Sequence, residues 1–105
     1  MSMTEPGILK HNEFRVSDIP PGSALLVGDL AVFNVDGSFC ATQSRCTHRQ
    51  GLLSAGKLDG STVTCPNHRA QFNVYTGAVL RGPARDPLTT YRVAVDGNIG
   101  RVELD

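Results

Sequence analysis

The stretch Ala31-Val32-Phe33-Asn34-Val35-Asp36-Gly37-Ser38-Phe39-Cys40-Ala41-Thr42 decides the fold class. Ala31, Phe33 and Val35 alternate onto one face, the period of a β-strand. Asp36-Gly37 then supplies a two-residue hairpin turn, because Gly, and less easily Asp, tolerates the positive φ of a type I′ turn. Ser38 to Thr42 is the returning strand. The pattern recurs at the other end of the chain. Tyr91-Arg92-Val93-Ala94-Val95 alternates, Asp96-Gly97 turns, and Ile99 to Leu104 returns with Val102 and Leu104 on one face. Upstream, Phe14-Arg15-Val16 and Ala24 to Val27 flank the turn Ile19-Pro20-Pro21-Gly22. No window has helical periodicity, and the best candidate, Leu52 to Leu58, is broken by Gly56 and too short to stand alone. These runs predict an all-β fold whose base is an antiparallel sandwich or barrel built from both ends of the chain.

The middle reads differently. Between Arg45 and Pro87 the strands shorten and turn residues crowd together. Thr62-Val63-Thr64-Cys65, Phe72-Asn73-Val74-Tyr75 and Ala78-Val79-Leu80 are short strands, Thr76-Gly77 is a turn, and Gly82-Pro83-Ala84-Arg85-Asp86-Pro87 is a loop. The expectation is one domain over residues 1–105, with a base of 1–44 and 88–105 and a loop-rich subdomain inserted at 45–87. A chain of 105 residues fits one domain, and 40% hydrophobic with 19% charged residues is ordinary for a folded one. Ten basic against ten acidic residues give a formal net charge of zero, which argues against a general nucleic-acid binder. Three cysteines are too few for a disulfide scaffold. The start, MSMTEPGILKHNEF, lacks the basic segment and apolar run of a secretory signal, and no apolar stretch is long enough to span a bilayer. A reducing cytoplasm, with cysteines serving as metal ligands or buried thiols, is the expected setting.

Within the insertion, Cys46-Thr47-His48 is followed after 16 residues by Cys65-Pro66-Asn67-His68. A single Cys is often a small buried hydrophobe and a single His an ordinary surface group. Two Cys/His pairs, each among turn residues, are hard to account for in that way. Two Cys and two His can close a tetrahedral zinc site, but zinc modules usually pair like with like. The mixed C-x-H and C-x₂-H pairs fit better a [2Fe–2S] cluster with two thiolates on one iron and two imidazoles on the other.

With these boxes the chain resembles the Rieske-type ferredoxins, small electron carriers of bacterial aromatic-ring dioxygenase systems. The resemblance also takes in Leu53-Ser54-x-Gly56, Leu58-Asp59-Gly60, Phe72-Asn73-x-x-Thr76-Gly77 and the Gly82-Pro83 loop. It implies a Rieske-like fold, with the 45–87 insertion as its cluster-binding subdomain. It implies that Cys46 and Cys65 bind the inner iron and His48 and His68 the outer one, with the Gly82-Pro83 loop shielding the cluster. It also implies the partners: a flavoprotein reductase fed by NAD(P)H and a terminal aromatic-ring oxygenase, with the carrier a monomer that touches neither nucleic acid nor membrane. A small subunit of a larger reductase, similar to that of nitrite reductase, is the alternative. Many such subunits lose the ligands, and this chain has all four. With no catalytic triad, phosphate loop or dinucleotide motif, the chain is expected to carry electrons and to catalyse nothing itself.

Two neutral imidazoles in place of two thiolates make the cluster less negative and easier to reduce. Rieske potentials accordingly span roughly −150 to +300 mV, against about −400 mV for plant-type ferredoxins. High-potential members of the family carry an extra disulfide between the loops and Ser and Tyr hydroxyls that hydrogen-bond the cluster sulfurs. The matching positions here are Gly51 and Asn67, and Ala70 and Phe72, so a potential in the low part of the range is expected. Two departures stand out: Arg69 where the family usually has Gly, and Arg49-Gln50 after the first histidine.

Charge is unevenly spread. Residues 45–86 hold six cations (Arg45, Arg49, Lys57, Arg69, Arg81 and Arg85) against Asp59 and Asp86, a local +4; the rest of the chain holds four cations against eight carboxylates, a local −4. A basic cluster end suited to acidic partner surfaces is the functional expectation. Cys40, in mid-strand, is expected to be a core thiol and His11 a surface residue.

Overall fold

The computed structural model describes residues 9–47, 51–67 and 69–104. The strands follow in chain order as β1 (Glu13–Arg15), β2 (Ala24–Val27), β3 (Leu30–Val35), β4 (Ser38–Gln43), β5 (Lys57–Asp59), β6 (Thr62–Thr64), β7 (Gln71–Asn73), β8 (Val79–Arg81), β9 (Thr90–Asp96) and β10 (Ile99–Glu103). They form two antiparallel sheets, one ordered β1-β10-β9-β4-β3-β2 and one ordered β5-β6-β7-β8. The first draws its strands from both ends of the chain and is joined across its middle where Ala41 and Thr42 meet Tyr91 and Thr90.

The Asp36-Gly37 hairpin forms as its sequence requires. Both residues have positive φ, +53° and +97°, and Val35 pairs with Ser38 across them. This is the backbone of a type I′ turn. Asn34 locks it: its side-chain oxygen accepts from the Gly37 N–H at 2.7 Å, and its amide donates to the Ile19 carbonyl at 2.7 Å. A buried polar side chain is thereby satisfied on both sides. The second hairpin is shifted by one residue from the sequence expectation. Asp96 is the last residue of β9 and pairs with Ile99, so the turn is Gly97-Asn98, with positive φ at Gly97 alone. One glycine in that position suits the II′ geometry.

Strand β3 has two buried faces. Ala31, Phe33 and Val35 enter a core shared with the four-stranded sheet, where they meet Val63, Phe72 and Val74. Val32 points the other way, to Phe14, Ile19, Val27, Ala41 and Val102. Phe14, Phe33 and Phe72 are almost wholly buried, and a buried side chain of that size contributes roughly 1.5–3 kcal/mol. Leu104 does not share the fate of Val102: it is exposed, just past the end of β10. The Leu52–Leu58 segment splits into a 3-10 turn at Leu53–Ala55 and strand β5.

Candidate metal centre

Cys46 and Cys65 occupy equivalent places. Each lies just beyond the end of a strand, β4 and β6, where the chain leaves the sheet for a loop. The Cys46 N–H donates to the Gly51 carbonyl at 2.8 Å, and the Cys65 N–H donates to the Ala70 carbonyl at 2.8 Å. Each cysteine therefore sits at a neck closed by a backbone hydrogen bond across four chain positions, 47–50 and 66–69. Below the first neck, Arg45 pairs with Leu52 and the Leu53 N–H donates to the Ser44 carbonyl at 2.9 Å. Within the second loop the Arg69 N–H returns to the Cys65 carbonyl at 3.1 Å.

The two necks are in contact. A Cβ on Gly51 would lie 2.9 Å from the Cys65 Sγ and 3.1 Å from the Asn67 Cγ. Glycine is what leaves room there for the second loop and its thiol. It also places Gly51 and Asn67, the positions that correspond to the additional disulfide of high-potential relatives, side by side. Cys46 and Cys65 are buried in the same apolar cluster, with Leu53, Ala70, Phe72 and Ala84 around them, and no disulfide joins any of the three cysteines. The loop 82–87 closes over this region. Its Ala84 belongs to the cluster, and its Asp86 carbonyl accepts a hydrogen bond from Thr47 Oγ1 at 2.8 Å. The sequence reading missed this tie, although a hydroxyl between the Cys and His of the first box is a visible signal.

His48 and His68, with Arg49 and Gln50, lie outside the described residues. Among the described residues no set of three His, Cys, Asp or Glu side chains is grouped to hold a metal ion. The two thiols are thus the described part of the candidate ligand set. Their chemistry suits a thiophilic centre: soft sulfur donors on two loops in contact, enclosed by apolar side chains that keep water away. Cys40 has no part in it. It faces the same core from mid-strand β4, and burial pushes its thiol up to about 11, which disfavours the thiolate a metal needs. His11 is exposed, as expected.

Arg69 is in the left-handed region at φ +63°. The family's usual glycine adopts that conformation without cost, whereas an L-residue with a Cβ pays roughly 1–2 kcal/mol. Arginine therefore stands here in a conformation that glycine would adopt without strain. Ala70 and Phe72 are wholly buried and bring no hydroxyl to the site.

Comparison with known proteins agrees with this geometry. The model of the Rieske [2Fe–2S] domain matches residues 9–92, and the chain belongs to that family. Its cofactor is accordingly a [2Fe–2S] cluster, and the residues described above fit one. Within the family the chain is similar to electron-carrying ferredoxin subunits. It is 47% identical over 87 residues to the 3-phenylpropionate/cinnamic acid dioxygenase ferredoxin subunit of Shigella boydii, covering 79% of this chain and 82% of that one. The ferredoxin of Sphingomonas yanoikuyae B1 superposes with a TM-score of 0.81 at 31% identity, covering 87% and 94% of the two chains. A ferredoxin solved in complex with the oxygenase of carbazole 1,9a-dioxygenase superposes with a TM-score of 0.77 at 38% identity, covering 85% and 96%. The chain is thus a Rieske-type ferredoxin, an electron carrier and not itself a catalyst. The alternative of a reductase small subunit is the less supported reading.

Proposed function

We propose that Cys46 and Cys65 bind one iron of the cluster and His48 and His68 the other. The chain then passes one electron at a time from an NAD(P)H-fed flavoprotein reductase to the terminal oxygenase of an aromatic-ring dioxygenase system. The observation that carries this reading is the matched pair of loops, each with a buried cysteine at its neck and a histidine two or three residues further on. The proposal extends to the organisation: a base of 1–44 and 88–105, a cluster-binding subdomain of 45–87, and a monomer working in the cytoplasm. No helix among the described residues is long and apolar enough to cross a membrane.

When bound, a [2Fe–2S] cluster accepts and releases one electron. The protein's task is to hold it. Cys46 and Cys65 would hold one iron as thiolates. Gly51 keeps the space beside Cys65 open. Leu53, Ala70, Phe72 and Ala84 exclude water, and Thr47 fastens the covering loop.

The test is the purified protein. Iron and acid-labile sulfide in about a 1:1 ratio, with a reddish-brown visible spectrum lost in Cys65→Ala and altered in His48→Cys, is the expected result. A colourless protein that retains zinc after purification overturns the assignment. Electron delivery is checked by reduction with a flavoprotein reductase and NAD(P)H, followed by reoxidation by the oxygenase.

A further inference from the structure

The strand registers show where the basic residues of the insertion collect. Lys57 pairs with Thr64, Thr64 with Gln71, and Gln71 with Arg81. These four residues form one row across the four-stranded sheet, at the end from which the Cys65 loop emerges. Gln71 and Thr64 share a face, since the Gln71 amide donates to Thr64 Oγ1 at 3.1 Å while the neighbouring Val63 and Phe72 are buried on the other side, and Arg81 stands opposite Gln71 where a β-bulge interrupts the register of β7 and β8. Both edge strands therefore carry a cation at the loop end. Arg69 lies between them, on the loop joining the two central strands. All three cations are exposed and have no ion-pair partner among the described residues. Asp59 sits in the opposite end row, paired with Thr62. Arg69 also holds a backbone conformation that glycine would adopt without strain. Retained strain of this kind clusters at functional sites, and here it keeps a guanidinium one residue from His68.

We infer that this end of the sheet is a cationic docking face for a carboxylate-bearing surface of the terminal oxygenase, and that Arg69 is its specificity-determining residue. The inference rests on the electron-carrier reading, in which the oxygenase is the acceptor. The zero net charge of the whole chain makes the face readable: attraction to an anion has to come from local charge.

The experiment compares Arg69→Gln, Arg69→Lys and Arg101→Gln in the cluster-loaded protein. Arg101 pairs with Glu13 on the six-stranded sheet and provides the same one-unit change elsewhere. Retention on a carboxymethyl support at low salt reads affinity for carboxylates with no electron transfer involved. Oxidation of the reduced protein by hexacyanoferrate(III), which takes one electron and becomes hexacyanoferrate(II), reads the charge where the electron leaves. Tris(phenanthroline)cobalt(III), a cation reduced by the same single electron, is the opposite probe. Arg69→Gln is expected to elute at lower salt, to react about four-fold more slowly with the anion at low salt, and to react faster with the cation. Arg69→Lys should behave as the parent, and Arg101→Gln should shift either readout by less than half as much. The visible spectrum of each variant keeps the two readings apart. With spectra intact, an Arg69→Gln protein indistinguishable from the parent, or from Arg101→Gln, overturns the docking face and leaves the carrier standing.

Discussion

The Cβ position of Gly51 lies 2.9 Å from the Sγ of Cys65. The two come from different loops, so the missing side chain of one is what lets the thiol of the other take its place. A methyl group here has to push either the thiol or the Asn67 side chain, 3.1 Å away. Overpacking of a filled interior costs about 1–3 kcal/mol. Gly51→Ala is therefore expected to lower stability by that amount and to reduce iron and sulfide content. Denaturant melts and metal analysis of the purified variant check both.

A second prediction concerns the potential. Ala70 and Phe72 occupy the positions that correspond to the hydroxyl donors of high-potential relatives, and both are wholly buried beside the thiols. Without those donors, the extra negative charge of a reduced cluster is less stabilised, and the parent should titrate in the low part of the Rieske range. A hydrogen bond to a charged acceptor of about 1.5 kcal/mol corresponds to about 60 mV for one electron. Ala70→Ser and Phe72→Tyr should each raise the potential by about this amount in a redox titration followed by visible absorbance.

Cys40 predicts a pH dependence. Its thiol is pushed from 9.0 up to about 11 by burial. Between those values the unfolded chain has lost a proton that the folded chain keeps, so stability falls as pH rises from 9 toward 11. Below pH 9 both states hold the proton and the residue contributes no slope. The parent should lose stability over this window in urea melts, and Cys40→Ala should lose less. At pH 8 an alkylating reagent should leave Cys40 unmodified in the folded protein.

The extent to which these features are legible in the sequence differs between the two sheets. The hairpin at Asp36-Gly37 is explicit, because two positive φ values demand those residue types and flanking alternation fixes the strands. The Gly97-Asn98 turn is off by one because Asp96 and Asn98 are both acceptable turn residues, and only the pairing of Asp96 with Ile99 decides between them. β3 reads as one apolar face, yet it has two, since a strand between two cores has no solvent side to mark. At the site, the spacing of Cys46 and Cys65 is plain in the sequence, because metal ligation needs particular residue types. The contact of Gly51 with Cys65, the tie from Thr47 to Asp86, and the row from Lys57 to Arg81 are not. Each joins residues far apart in the chain through backbone geometry that carries no residue-type signature.

Arg69 supplies the last prediction. Its φ of +63° costs roughly 1–2 kcal/mol for a residue with a Cβ. Glycine removes that cost but adds roughly 0.5–1 kcal/mol of backbone freedom to the unfolded chain. The difference leaves Arg69→Gly more stable than the parent by up to about 1.5 kcal/mol, a rise of a few degrees in Tm for a domain of this size. Arg69→Gln has the same loss of charge but keeps the strain, and should melt with the parent. The pair separates two consequences of one side chain: a gain in Tm with glycine alone locates the strain in the backbone, while the elution and oxidation rates follow the charge in both. If glycine and glutamine melt alike, Arg69 is held in the left-handed region by something other than the loop's own geometry, and the strain argument fails.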